Sequence, residues 1–347
     1  MTLCLGIRTK SEAFLVADSA VTYDSGGHLK RLKSTVGEIQ ISGAKTVEES
    51  AQKVWEITNN VAISFAGNVN LGNSLAEVIV ACLKRNNPIK QSIEKAFLAC
   101  GPIEKDNPSH NVEFLVLDAS EGKLDLFYSN TRTQIIHLIP QGSSVLFGSV
   151  PDDVRKQIYE CAYKVKILNV QGYDALATWI TTLLSITSHR PMMENGIGGM
   201  FSGAWANRSG LKHHPDMLFL QYFSKLDSTQ TMETSYCVNR DRLSLFSGSA
   251  RGGNIGPSFP SWRKKWKEKL TNFHDDAIFD YVSILDLSAR RFAVINMAGN
   301  KVGSDLMFEI KGEKVIIHFS ERLQEYLYGE HSSGHDCIFI DPPKKGL

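Results

Sequence analysis

The sequence has almost no net charge, no paired cysteines and no long apolar run, and each absence removes a class of function. Lys and Arg number 38 against 37 Asp and Glu, a formal charge of +1 at pH 7. No broad field is available to hold nucleic acid or an anionic membrane surface, so neither is expected as a partner. The six cysteines, Cys4, Cys82, Cys100, Cys161, Cys237 and Cys337, are scattered without a C-x-x-C pair. That usage describes small buried hydrophobes in a reducing compartment, not a disulfide frame or a zinc site. No stretch approaches the ~20 apolar residues that cross a bilayer, and no basic segment leading into an apolar run opens the chain. A cytoplasmic protein is expected. Internal repeats and low-complexity segments are missing too. What is there is ordinary globular composition, 42% hydrophobic and 22% charged, enough for a substantial core.

Alternation of apolar and other residues marks the strands. Leu3, Leu5 and Ile7 alternate with Cys4, Gly6 and Arg8, a turn follows at Thr9-Lys10-Ser11-Glu12, and Ala13 to Ala17 is a continuous apolar run ending in Asp18-Ser19. This is a hairpin, and it brings Asp18 beside the start of the first strand. Residues 22 to 50 are rich in Gly, Ser, Lys and Glu and are expected to be a loop or excursion. A second hairpin runs from Lys53 to Gly67. Helical spacing takes over at Leu71, Leu75, Val78, Ile79 and Cys82, and Pro88 opens another helix through Ile93, Ala96 and Phe97. A third hairpin flanks Asp118 to Gly122, helices follow over 152–163 and 173–188, and strands return at 200–206 and 217–223. Strands, two helices, strands, two helices, strands predict an α+β fold with facing antiparallel sheets and helices outside them. One domain is expected over residues 1–223. Residues 224–347 read as an extension of unknown role carrying further strands at 231–246, 280–285, 292–296 and 315–319, and a helix at 320–328.

The chain start carries a candidate nucleophile. Once Met1 is trimmed, the Thr2 hydroxyl and a free α-amine share one residue. The α-amine titrates near ~8, so at neutral pH part of it is unprotonated and can accept the hydroxyl proton as oxygen attacks a carbonyl.

Thr2, Asp18 at the end of the second strand, Lys53 opening a K-V-x-E-I run, and Phe65-Ala66-Gly67 before a helix together resemble the proteasome β-subunit family of N-terminal nucleophile hydrolases, including its bacterial ATP-dependent relative. The likeness covers about residues 2–223, with no gap between Lys53 and Gly67. Gly148-Ser149 and the run from Glu194 to Gly199 resemble further family segments. The resemblance implies a four-layer αββα sandwich of two antiparallel sheets and threonine-type hydrolysis of peptide or amide bonds. It implies Thr2 as nucleophile, Lys53 as the positive charge beside it, Asp18 as the group orienting Lys53, and the Gly67 amide as oxyanion donor. Ser149 and Glu194 are implied to support the α-amine by hydrogen bonds. By the same likeness Val21, Thr22, Ala51, Trp55, Phe65 and Val69 line a substrate pocket, an apolar set that is equally the composition of a core. No metal or organic cofactor is called for. The expected partners are a peptide or protein substrate, further copies of the chain in a ring or smaller oligomer, and an ATP-dependent unfoldase. The sequence departs from the family in placing Ile197 where a hydroxyl precedes the paired glycines, Glu194 where the acid is usually Asp, and Ala20 where Arg follows Asp-Ser.

Two rivals stand beside this reading: a small-molecule amide acylase, and a non-catalytic scaffold or interaction subunit of the same fold. Retention of Met1 favours the scaffold, because a peptide-bonded nitrogen cannot serve as base. Other motifs read as structure. His213-His214-Pro215-Asp216 is a loop, since adjacent histidines point to opposite sides of an extended chain. Arg251-Gly252-Gly253 lacks a following P-loop lysine. His335-Asp336-Cys337 reads as an exposed end near a Pro-Lys-rich tail. Trp262-Arg263-Lys264-Lys265-Trp266-Lys267 is either an amphipathic helix packed on the domain or a docking segment for an acidic partner or nucleic acid.

Overall fold

The computed structural model describes residues 2–24, 30–34, 37–41, 45–49, 53–100, 107, 110–167, 170–187, 192, 196–223, 230–239, 242–246, 279–286, 291–297, 306–311, 314–328 and 337–340. Strands β1 (Leu3–Arg8) and β2 (Glu12–Asp18) form the first hairpin. The Thr9 hydroxyl closes its turn by accepting from the Glu12 amide at 2.9 Å, while the Thr9 amide donates to Glu12 O at 2.7 Å. With β12 (Ser143–Gly148), β13 (Phe201–Asn207) and β14 (Gly210–His213) they build an antiparallel sheet in the order β12-β1-β2-β13-β14. A second antiparallel sheet orders β11 (Ile136–Leu138), β10 (Asp125–Asn130), β9 (Val112–Asp118), β8 (Val61–Gly67) and β7 (Val54–Thr58).

The pleat sorts each strand's side chains into two cores. Cys4, Leu15 and Ala17 from the first sheet meet Ala62, Leu115 and Leu117 from the second, which makes the two sheets face each other. On the outer face of the second sheet, Ile63, Phe65 and Phe114 pack under helices α1 (Val69–Leu83) and α2 (Ile89–Ala99). Asn68 starts α1 by accepting the Leu71 amide on its side-chain oxygen at 2.9 Å, one residue after β8 ends. On the outer face of the first sheet, Leu5, Phe14 and Val16 pack against Leu176, Ile180 and Leu183 of α4 (Gly172–Thr187), which lies beside α3 (Asp152–Ile167).

The protein is α+β, as expected, with a third sheet beyond α4. It is mixed, with order β20 (Leu306–Lys311), β21 (Lys314–Phe319), β16 (Gln230–Asn239), β15 (Met217–Phe223), β18 (Tyr281–Asp286), β19 (Arg291–Asn296), β22 (Cys337–Ile340), and β17 (Arg242–Phe246) paired to β16. Strand β15 pairs antiparallel with β16 and parallel with β18, so the hydrogen-bonded ladder runs across residue 223. Tyr281, Leu285, Phe292 and Val294 cover the far side of α4, whose residues are buried from Ala175 to Leu184. A polar seam joins them: the Tyr281 hydroxyl donates to Asp174 at 2.5 Å, and the hydroxyls of Thr181 and Ser283 are 2.5 Å apart. Helix α5 (Glu321–Tyr328) follows β21.

The excursion expected over residues 22–50 is instead partly regular. Strand β3 (Ala20–Asp24) pairs with β6 (Lys45–Glu49), and β4 (Lys30–Ser34) pairs with β5 (Gly37–Ile41). Alternation such as Glu38-Ile39-Gln40-Ile41 satisfies a two-stranded ribbon even in a Gly- and Lys-rich stretch. The residues around Cys337, expected to be an exposed end, supply β22 in the third sheet. The loop expected at 251–257 and the basic helix expected at 262–270 lie outside the described residues. Among the described residues no helix is long and apolar enough to cross a membrane.

Candidate active site

Hairpin register decides where the first residues of the chain go. Leu3 lies opposite Gly148 in β12, and Cys4 lies opposite Ala17 in β2, so Thr2 sits between the ends of both neighbours. The Ser149 amide donates to the Thr2 carbonyl at 3.1 Å. Gly148 makes that approach possible: its φ is +98°, and a Cβ there would stand 1.9 Å from the Thr2 carbonyl oxygen.

Asp18 ends β2, opposite Phe201. One carboxylate oxygen accepts from the Leu3 amide at 3.2 Å and the other from the Gly198 amide at 2.9 Å. Lys53 enters from the other sheet, one residue before β7, and its Nζ lies 2.6 Å from Asp18 Oδ1 and 3.0 Å from Thr2 Oγ1, with a third bond to the Ala20 carbonyl. Thr2, Asp18 and Lys53 are 6%, 1% and 5% exposed. Burial pushes the Asp18 carboxyl above its ordinary value, opposed by the Lys53 ammonium and the amides of Gly198 and Leu3. An ammonium with three oxygen acceptors and a carboxylate with three donors is a satisfied buried pair, the condition under which two charges survive away from water.

Three residues from distant parts of the sequence therefore meet, as the sequence reading requires. The others divide. Gly67 ends β8 at φ +115°, exposed, with room for no side chain because a Cβ would lie 2.1 Å from Asn111 O. Ser149 is exposed, and the bond it makes to Thr2 comes from its backbone, to a carbonyl, where side-chain support of the α-amine was expected. Phe65 is buried with its ring over Gly72 of α1, and Trp55 meets it edge to face at 5.5 Å. Val21 is buried, Thr22 half-buried, and Val69 is 41% exposed at the head of α1. Met1, Ala51 and Glu194 lie outside the described residues.

Glu113, Ala20 and Gly198 were not assigned roles from sequence. Glu113, at the start of β9, accepts the Tyr128 hydroxyl at 2.6 Å and the Gly148 amide at 3.4 Å, tying the second sheet to the turn that holds Thr2. Its only sequence signal is a charge inside an apolar strand. Ala20 and Gly198 act through backbone atoms, which residue type does not advertise. Ser19, next to Asp18, is 2% exposed, and its hydroxyl has no partner among the described residues. Ile197 is fully buried in the core shared with α4. Cys4, two residues from Thr2, keeps its proton: burial pushes its thiol up to about 12.

His213 closes the other end of the sheet pair, with Nε2 against the Glu56 carboxylate of β7. His214 turns away, buried, with Nδ1 3.0 Å from Pro215 O. Among the described residues no three His, Cys, Asp or Glu side chains cluster as metal ligands. Comparison with protein-family models and with curated proteins gave no match.

Proposed function

We propose that this chain is a threonine-type N-terminal nucleophile hydrolase of the proteasome β-subunit kind, cleaving peptide bonds after Met1 is removed. The observation that carries the reading is one buried ammonium, Lys53 Nζ, within 3.0 Å of Thr2 Oγ1 and 2.6 Å of Asp18. The facing sheets with helices outside them support the αββα fold of that class.

The chemistry follows from these atoms. The free α-amine of Thr2 takes the hydroxyl proton as Oγ1 bonds to the substrate carbonyl carbon. The Lys53 ammonium stabilises negative charge developing on Oγ1, and Asp18 balances the ammonium without competing for the hydroxyl proton. The Gly67 amide donates to the oxyanion, a contribution typically of ~3–4 kcal/mol. The tetrahedral centre collapses, the C–N bond breaks, and the α-ammonium returns its proton to the leaving amine. Water, deprotonated by the same amine, then releases the acid from its ester with Thr2. Copies of this chain in an oligomer, and an unfoldase partner, belong to the proposal as they do to the class.

Intact-mass measurement tests the first requirement, with loss of Met1 expected. Short fluorogenic peptides and a panel of acyl amides then separate peptidase from acylase. Thr2→Ala is expected to abolish hydrolysis while leaving the circular dichroism spectrum and melting temperature unchanged, and Thr2→Ser to retain part of the activity. A chain that keeps Met1 and hydrolyses neither panel overturns the proposal in favour of a scaffold.

A further inference from the structure

Strand pairing fixes the side of Thr2 on which a free α-amine stands. The Ser149 amide donates to the Thr2 carbonyl, so Thr2 and Ser149 are a hydrogen-bonded pair of the antiparallel ladder, and the Thr2 nitrogen faces β12 as its carbonyl does. Leu3, the next residue of β1, turns its amide the other way, to Asp18. The amine is thereby on the β12 side of the strand, and the Asp18 carboxylate that holds Lys53 is on the β2 side.

Gly148 alternates with Ser149 and points its own amide away from β1, to Glu113 Oε2 at 3.4 Å. Glu113 reaches it from the second sheet, on the β9 face that carries Leu115 and Leu117 towards the first. One strand spacing plus that bond puts the carboxylate roughly 8 Å from the amine. The Tyr128 hydroxyl, 2.6 Å from Oε1, holds it from the other side. Both partners are neutral donors, so neither cancels its charge. Burial, and then Glu113 itself, push the Tyr128 phenol up to about 12, and it stays a donor through neutral pH. Of the other titratable groups around Thr2, Lys53 and Asp18 lie 2.6 Å apart and largely offset one another at a distance. The Cys4 thiol, at about 12, is neutral. Arg155 donates to Leu146 O at 2.6 Å, further along β12. Asp152, Asp153 and His137 are exposed, where solvent screens them. Glu194 lies outside the described residues.

We propose that Glu113 is a positioning residue that sets the pH at which the Thr2 α-amine becomes a base, holding it as the ammonium through neutral pH. The inference rests on the proposed function, in which removal of Met1 leaves that amine free. A negative charge favours the ammonium, so the amine gives up its proton at a higher pH than it would without Glu113. At this separation the effect is ~0.5–1 pH unit. Hydrolysis then rises with pH through the mildly alkaline range.

The full chain released from a protease-cleavable leader carries the free amine whether or not Met1 is removed naturally. Competitive acetylation across pH, read by mass spectrometry of the N-terminal peptide, titrates that amine without turnover. The acid limb of kcat/KM on fluorogenic peptides reports the same group. Glu113→Gln keeps the shape and an acceptor oxygen and removes the charge, and both readings are expected to move downward by ~0.5–1 pH unit. Tyr128→Phe breaks the hydrogen-bond network and keeps the charge, and Glu121→Gln removes an exposed charge beyond the far end of β9. Each is expected to move the amine by less than ~0.2 unit. Glu113→Asp withdraws the carboxylate by one methylene; a smaller shift in the same direction is expected, and it carries the test if Glu113→Gln does not fold. A shifted amine on a chain that hydrolyses nothing supports this inference and removes the hydrolase. An unmoved amine in Glu113→Gln, or an equal shift in Tyr128→Phe or Glu121→Gln, overturns the inference and leaves the hydrolase standing.

Discussion

Lys53 and Asp18 illustrate why a buried ion pair is asymmetric under mutation. Lys53→Met removes the ammonium and leaves a carboxylate 1% exposed with only two backbone donors. The expected loss is ~3–5 kcal/mol in urea unfolding, because the remaining charge is stranded in an apolar environment. The double variant Lys53→Met with Asp18→Asn is expected to recover more than half of that loss, and under the proposed function both variants lose hydrolysis. Equal stability of the single and double variants would show that the pair is solvated. Cys4 gives a second test at this scale. Its thiol titrates near 9.0 when exposed and at about 12 when folded. The folded state holds the proton more tightly, so the contribution is complete below pH 9 and is lost as pH rises towards 12. One such group gives a slope of up to ~1.4 kcal/mol per pH unit. Cys4→Ala is expected to flatten stability between pH 9 and 11 relative to the native chain.

At the scale of elements, the site depends on how tightly β12 and β1 close around Thr2. Gly148→Ala puts a methyl group against the Thr2 carbonyl and forces a left-handed φ on an L-residue. The strain alone is ~1–3 kcal/mol, and relief requires Thr2 to move. A lowered melting temperature is expected and, under the proposed function, complete loss of hydrolysis, with Glu113→Gln, which keeps an acceptor for the same Gly148 amide, much milder. Much of this architecture was legible from residue patterns. Alternation gave β1 and β2, and period-3.6 spacing gave α1 and α2, because an element with one buried face must repeat its apolar residues at its own period. The strands β3 to β6 were not legible, because two-stranded ribbons need little apolar surface and their turn-rich composition reads as loop. The contacts of Ala20 and Gly198 were invisible for another reason: backbone groups are present at nearly every residue, and only packing selects which ones converge.

At the scale of the molecule, the third sheet makes α4 an internal layer. An outer helix keeps a polar face, whereas α4 is apolar or hydroxyl-bearing almost all round, with Trp179, Leu183 and Leu184 buried and Thr178, Thr181 and Thr182 equally covered. Its C-terminal end also packs on Gly198, whose amide holds Asp18, so the sheet beyond residue 223 supports the site through one helix. A chain ended at residue 223 would uncover that face and leave β15 without its neighbours β16 and β18. It is expected to aggregate or to bind hydrophobic dye, as measured by light scattering and dye fluorescence, whereas a soluble, cooperatively melting fragment would show that the first two sheets stand alone.

The order of residues by itself determined the α+β class, the early hairpins and the main helices, because periodicity is a property of the chain read locally, while Thr2, Asp18, Lys53 and Gly67 were singled out together by resemblance to a known family. Only tertiary structure decided that Lys53 reaches across from a different sheet, that Ser149 holds Thr2 by a backbone amide, and that Glu12 accepts the Gly172 amide at the head of α4. Those are distances between segments 35 to 160 residues apart, and a distance of that kind is set by how sheets twist and stack, not by any one stretch of sequence.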